Sequence, residues 1–196
     1  MAETSGAPAG LAGVVKAAGE AARQAPGRGL PPVHLWNPAH CGEIDIVIKK
    51  DGTWFHEGTP IGREALVRLF SSVLRLDPDG LHLVTPVEKL KIRAEDARFV
   101  AVRVDREGGD LRFLTNVGDV VTAGPENAIR VGTEPSSDEP APYLHVRRGL
   151  EARINRPVFY ELVEMAEERD TPAGPQLGVV SGGVFFPVGP AGAHRL

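Results

Sequence analysis

Two stretches decide the fold class: IDIVIKKDGTWFHEGTP at residues 44–60 and YLHVRRGLEARINRP at residues 143–157. In the first, Ile44, Ile46 and Ile48 alternate with Asp45 and Val47, the two-residue period of a strand with unlike faces. Asp51-Gly52 supplies turn chemistry and Thr53-Trp54-Phe55-His56 returns, so the segment reads as a hairpin. Pro60 then stands where a helix over 62–75 would open, with Leu66, Leu69, Phe70 and Val73 on one side and Glu64, Arg68, Ser71 and Arg75 on the other. The second stretch has the same grammar: strand, Arg148-Gly149 turn, strand, then Pro157 opening a helix over about 157–168. Turn glycine and proline are eight residues apart in both, Gly52 to Pro60 and Gly149 to Pro157. Residue identity is not repeated, so the repeat is one of pattern.

Working outward, Leu81–Val84, a strand with Glu88, Leu90 and Ile92 on one face, and a strand with Val100, Val102 and Val104 on one face follow the first helix. Gly108-Gly109 marks a hairpin loop, Leu111–Asn116 returns, and 120–123 and 129–131 are short edge strands. Hairpin-linked alternation of this kind favours an antiparallel meander over parallel βαβ units. The expected fold is α+β: two tandem small units, each of antiparallel strands packed with one helix in ββαββ order. The partition is a flexible Ala/Gly/Pro-rich tail over 1–30, an N-terminal unit over 31–132, a Pro/acid-rich linker over 133–142 and a C-terminal unit over 143–190.

Composition excludes several classes. The 196 residues carry 22 basic and 26 acidic side chains, net charge −4, with 42% hydrophobic residues, as in an ordinary globular chain. Between Arg63 and Arg112, ten basic residues mix with nine acidic ones and form no basic stripe, which argues against nucleic acid as a partner. A single cysteine forbids an intrachain disulfide. No apolar run suits a membrane span, and the N-terminal segment lacks the apolar core of a signal peptide, so a cytoplasmic location is expected.

No phosphate-cradling loop, GxGxxG, HExxH or GxSxG occurs; Ser181 in Val-Ser-Gly-Gly lacks the upstream glycine of a nucleophile elbow. The densest polar constellation is His40, Cys41, Glu43 and Asp45, with His56 one hairpin away. A thiolate, imidazole and carboxylate there suit zinc or a thiol nucleophile, against the plainer reading of a small buried cysteine and surface histidines. Asp45 interrupts an apolar strand and suits ligand binding or a loop contact. Trp54 suits a pocket wall or a core. Arg63 opposes the helix dipole, as an anion held there would explain. In Thr85-Pro86-Val87-Glu88-Lys89, Glu88 shares its face with Leu90 and Ile92 and so needs a partner if buried. The ligand-binding candidates are therefore Cys41, Asp45, Trp54, Arg63, Thr85, Glu88 and Lys89, with no catalytic set, metal or cofactor assigned. The second helix adds an acidic outer face of Glu161, Glu164 and Glu168 opposite in sign to Arg68 and Arg75, and Val184-Phe185-Phe186 is the candidate apolar patch for a homodimer.

Asn37-Pro38, Cys41-Gly42, Ile44-Asp45, Asp51-Gly52-Thr53-Trp54, Gly58-Thr59-Pro60-Ile61, Leu83-Val84-Thr85-Pro86-Val87-Glu88-Lys89, Arg153-Ile154-Asn155-Arg156-Pro157 and Ser181-Gly182-Gly183 occur in sequence. Together they resemble the bacterial family numbered 1285 among domains of unknown function, over about 31–189. The resemblance implies two tandem units of strands plus a helix. It implies no activity, cofactor or catalytic residue, and suggests only a role in signalling or regulation. The expectation is a binding or regulatory protein for an unidentified protein or small molecule. The alternative is a small hydrolase using Cys41 or a metal near His40, Cys41 and Asp45.

Overall fold

The computed structural model describes residues 10–25, 27, 29–134, 136, 137 and 139–192. They belong to two compact units, one ending at Glu95 and the other beginning at Asp96.

The N-terminal unit runs α1 (Leu11–Arg23), a 3-10 turn (Val33–Leu35), β1 (His40–Ile48), β2 (Trp54–His56), β3 (Thr59–Pro60), α2 (Glu64–Ser72), β4 (Leu74–Asp77), β5 (Gly80–Val84) and β6 (Glu88–Ala94). Its six strands lie in the order β3-β2-β1-β6-β5-β4. All neighbours are antiparallel except the central pair, β1 and β6, which run parallel. Strand alternation sends Ile46, Ile48, Trp54, Leu81, Leu83, Leu90 and Ile92 into the core. There Phe70 of α2 stacks on Trp54 at 6.3 Å between ring centres. The opposite face, with Glu43, Asp45, Lys91 and Arg93, is exposed.

The C-terminal unit runs β7 (Phe99–Glu107), β8 (Asp110–Thr115), β9 (Val120–Thr122), β10 (Ile129–Thr133), β11 (Pro140–Arg147), β12 (Leu150–Ile154), α3 (Arg156–Glu164), β13 (Glu167–Thr171), β14 (Gly174–Ser181) and β15 (Val184–Pro190). The order β10-β11-β12-β7-β8-β9 reproduces that of the first unit, read from the other edge, again with a parallel central pair, β7 and β12. A flat six-stranded sheet would hold its edges about 24 Å apart. Here Gly124 and Asn127 exchange backbone hydrogen bonds of 3.1 Å, while Ala123 is tied to Leu111 of β8 and Ala128 to His145 of β11. The sheet therefore curls until β9 and β10 are one tight turn apart. The three-stranded sheet β13-β14-β15 docks through Ser181. The Ser181 hydroxyl accepts from Leu111 N–H at 2.8 Å and donates to the Ala123 carbonyl at 2.7 Å.

Two tandem α+β units are present as expected, but they divide between Glu95 and Asp96, just after β6 completes the first sheet, and not at 133–142, and other details differ. The strands are not all antiparallel, because each six-stranded sheet is mixed at its centre. The repeat relates β1–β6 to β7–β12, not Gly52–Pro60 to Gly149–Pro157; α2 follows the third strand of its unit, whereas α3 follows the sixth. Pro60 lies in edge strand β3, where its missing N–H costs nothing, and the helix begins at Glu64. Pro157 does sit in the first turn of α3, capped by Asn155, whose Oδ1 accepts from Val158 N–H at 3.0 Å. That helix stops at Glu164, since Glu167 and Glu168 at a helix C-terminus would add carboxylates to its negative end; they pair with β14 instead. Residues 133–142 are not a linker: Thr133 pairs with Pro140 and Val131 with Pro142 in a β10–β11 hairpin. Both prolines precede Tyr143, where β12 first joins β11, so their missing N–H groups break no ladder bond on that side. The expected flexible tail contains α1, which buries Val14, Ala18 and Ala21 and packs on α2; residues 1–9, 26 and 28 of that expectation, and residues 135 and 138 of the expected linker, lie outside the described residues. A bulge between Ala101 and Arg103 turns Val102 outward while Val100 and Val104 stay in. Val184 and Phe185 are half-buried and Phe186 is buried, with Arg169 over the Phe185 ring at 5.3 Å, so the expected apolar patch is covered.

Candidate functional site

On the open face of the N-terminal sheet, the parallel pairing sets Cys41 beside Lys89 and Glu43 beside Lys91. Alternation on β6 puts Lys89, Lys91 and Arg93 on that face, opposite to Glu88, Leu90 and Ile92. Between the Glu43–Lys91 and Val47–Arg93 pairings, β1 carries Ile44, Asp45 and Ile46 against Ile92 alone. This two-residue surplus bows β1 away from β6, the kind of irregularity that re-aims side chains. Asp45 stands at the bow. Its carboxylate accepts from Arg93 at 2.6 Å and its carbonyl from Glu57 N–H at 3.1 Å.

The bow opens a trough along the β1–β6 seam. One end, about 540 Å³, is bounded by Asp45, Lys49, Phe55, Arg93 and Glu95. The middle lies over Glu43, Asp45, Lys91 and Arg93, and the far end over Cys41, Asp79, His82 and Lys89. Lys49 and Glu95 pair at 2.6 Å, which holds the Glu95 carboxyl below its ordinary range. Glu43 and Lys91, both exposed and side by side, make no ion pair among the described residues.

At the far end the register brings together a charged cluster. Arg75 of β4 pairs with His82 of β5, and Asp77 closes the turn against Gly80. Asp77, Asp79 and His82 present ligand atoms within 4.8 Å of one another, a potential cation seat. The Lys89 ammonium occupies that seat, 2.8 Å from Asp77 and 3.3 Å from Asp79. Burial alone would raise the Asp77 carboxyl, but hydrogen bonds from Arg75 and Lys89 outweigh it and hold the group low. Burial and the Lys89 charge push His82 down, so it stays neutral and bonds the Gly80 carbonyl at 2.9 Å through Nδ1. The hydrogen bond that Lys89 donates to Asp77 in turn raises Lys89.

Of the seven candidates, Cys41, Asp45 and Lys89 meet in the trough. Trp54 does not: it is core, 1% exposed. Thr85 is buried in the turn before β6, where its hydroxyl accepts from Glu88 N–H at 3.2 Å. Glu88 points to the inner face, and burial, opposed by His40, lifts its carboxyl above the ordinary range. Arg63 caps α2 through its carbonyl, and its side chain is exposed. The His40–Asp45 constellation is strung along one strand and does not converge; Cys41 Sγ reaches only the Pro38 carbonyl, at 3.9 Å. Arg75 lies on β4 and donates to the Val33 and Trp36 carbonyls, so it is no part of a helix face. Sequence reading missed Asp77, Asp79 and His82, because only strand register shows that they share a corner with Lys89.

The C-terminal unit carries its cluster on the equivalent strands. Arg153 bridges Asp96 at 3.0 Å and Glu134 at 2.8 Å, and Tyr143 donates to Asp96 at 2.8 Å. Burial and Asp96 push the Tyr143 hydroxyl up to about 12. Arg130 grips Glu151 through two nitrogens and lies over the Tyr143 ring at 4.6 Å.

No helix among the described residues is long and apolar enough to cross a membrane. No curated protein matches the chain. Residues 31–97 match the N-terminal domain of DUF1285, a domain of unknown function, and residues 98–188 match its C-terminal domain. Among solved structures, the chain is 50% identical to a DUF1285 family protein from Silicibacter pomeroyi DSS-3, over 87% of this chain and 93% of that one, with a TM-score of 0.78. A DUF1285 family protein from Shewanella baltica OS155 is 26% identical over 61% of this chain and 90% of that one, with a TM-score of 0.49.

Proposed function

The chain belongs to the DUF1285 family over both of its units, and from that premise we propose that it works by binding, without catalysis, through the trough on the open face of its N-terminal unit. The carrying observation is the bow at Asp45, which opens the seam beside two exposed charges, Glu43 and Lys91, that have no ion-pair partner among the described residues. Groups that would do chemistry are engaged elsewhere. Ser181 is 1% exposed and bonded to backbone on both sides, and the Asp77–Asp79–His82 seat holds Lys89. Cys41 has neither a base nor an orienting group in bonding reach among the described residues. A regulatory role in the cytoplasm belongs to the same reading. The two like units give such a protein two sheets on which to carry recognition.

The test is amide chemical-shift mapping of the full chain against zwitterionic, anionic and cationic small molecules, charged peptides and the chain itself. Shifts at residues 41–49 and 89–95, lost in Glu43→Gln and Lys91→Met, support the reading. Turnover of an ester, phosphate or peptide substrate that Cys41→Ala abolishes would overturn it.

A further inference from the structure

Resting on that binding reading, we infer that the partner that covers the seam face is a second copy of this chain, seated face to face about a two-fold axis parallel to β1 and β6. The argument is one of register. The seam strands are parallel, with Lys91 on β6 directly beside Glu43 on β1, and neither has an ion-pair partner among the described residues. A two-fold axis along the strands, midway between them, lays β6 of one copy over β1 of the other without changing level. Lys91 then faces the second copy's Glu43, and Glu43 faces its Lys91. The same operation brings Arg93 over the bowed stretch around Asp45, so opposite signs face each other at these two levels of the seam. A face carrying cations on one strand and carboxylates on its neighbour is complementary to itself only in this arrangement. A polyanion would meet Glu43, Asp45 and Asp79, and a polycation would meet Lys89, Lys91 and Arg93; neither matches this charge pattern as well as the same face turned over.

The strands of this face, β2, β1, β6 and β5, hold 3, 9, 7 and 5 residues, so at about 3.3 Å per residue and 4.8 Å per strand roughly 800 Å² would be covered in total, the size of a weak, transient contact. Charged, wet contacts of this kind supply orientation more than affinity. The association is therefore weak and salt-sensitive.

Sedimentation velocity of the full chain, at concentrations from ten micromolar to one millimolar, reads it directly. The expected result is reversible dimer formation in low salt that weakens at least tenfold in 0.5 M sodium chloride. Lys91→Glu alone and Glu43→Lys alone each oppose like charges and abolish it. An equimolar mixture of the two variants restores it, because each copy then supplies the charge that the other lacks. Circular dichroism of each variant shows that it is folded. A monomer at every concentration, or a mixture as monomeric as its components, overturns the second copy as partner. The wider binding reading falls separately, when none of the small molecules or peptides above shifts the seam residues either.

Discussion

Replacing Ser181 by alanine removes one hydroxyl and orphans two backbone groups, the Leu111 N–H and the Ala123 carbonyl. Ser181 is 1% exposed and Leu111 is fully buried, so bulk water does not replace the lost partners. An unsatisfied buried backbone group costs about 1–3 kcal/mol, which gives about 2–5 kcal/mol for Ser181→Ala. In a unit of this size a loss of about 3 kcal/mol lowers the midpoint of thermal unfolding by roughly 12–24 °C. Both tryptophans, Trp36 and Trp54, lie in the N-terminal unit, so their fluorescence reports that unit alone, while hydrogen exchange at the Leu111 amide reports the clasp. The expected outcome is a large loss of protection at Leu111 and an early transition by circular dichroism, with the tryptophan transition less affected. Destabilisation below 0.5 kcal/mol, with Leu111 still protected, would refute the reasoning that this serine is a structural clasp.

Burial raises the Glu88 carboxyl in the fold, so its stabilising contribution is present below the unfolded value of about pH 4.3 and is lost as pH rises through the higher folded value. Glu88→Gln should accordingly stabilise the chain at pH 7 and leave it unchanged at pH 4, as read by urea unfolding. His82 and Asp77 have depressed values; their contributions stand above about pH 6.5 and about pH 3.9 and are lost as pH falls through the folded values. Lys89→Met empties the cation seat: the His82 titration, followed by NMR, should move up, and manganese should bind the variant but not the parent chain in calorimetry. Arg153→Met leaves Asp96 and Glu134 buried without their cation, a loss of about 3–5 kcal/mol in the C-terminal unit, with partial recovery on acidification. Phe70→Ala removes the ring stacked on Trp54 and should cost about 3–5 kcal/mol, followed by tryptophan fluorescence.

The hairpins, the strands around Gly108-Gly109 and the core-facing stripe of the first helix were legible because a period of 2 or 3.6 residues is local information. Glu88 on the face of Leu90 and Ile92 was legible for the same reason, and it is indeed buried. What period cannot encode is which strands meet across the chain. Nothing local at residues 40–48 says that their partner lies at 88–94, so the trough, the Glu43–Lys91 adjacency and the cluster around Lys89 emerge only from register. The eight-residue Gly-to-Pro spacing misled because turn glycines and strand-end prolines serve any hairpin, whether or not a helix follows. Composition misled at 133–142, where prolines and acids fill a strand end, and at 11–23, where alanines pack a helix on its neighbour. At Val102 a single bulge inverted an alternation otherwise correctly read.

Each six-stranded sheet joins its first strand to its last at the centre, not at an edge, and this has a kinetic consequence. Each three-stranded half is built from near neighbours in sequence, but the seam between halves joins residues as far apart as His40 and Glu88, or Phe99 and Ala152. Closing so long a loop is an entropic cost met before the seam returns any contact, so the halves form early and zip together late. The same connectivity makes the chain divisible. Cut within the turn at Gly124–Asn127, the two halves of the second sheet would hold together through β7 and β12 and through the Ser181 clasp on Leu111 and Ala123, and their reassembly as separate fragments would report the strength of those contacts together.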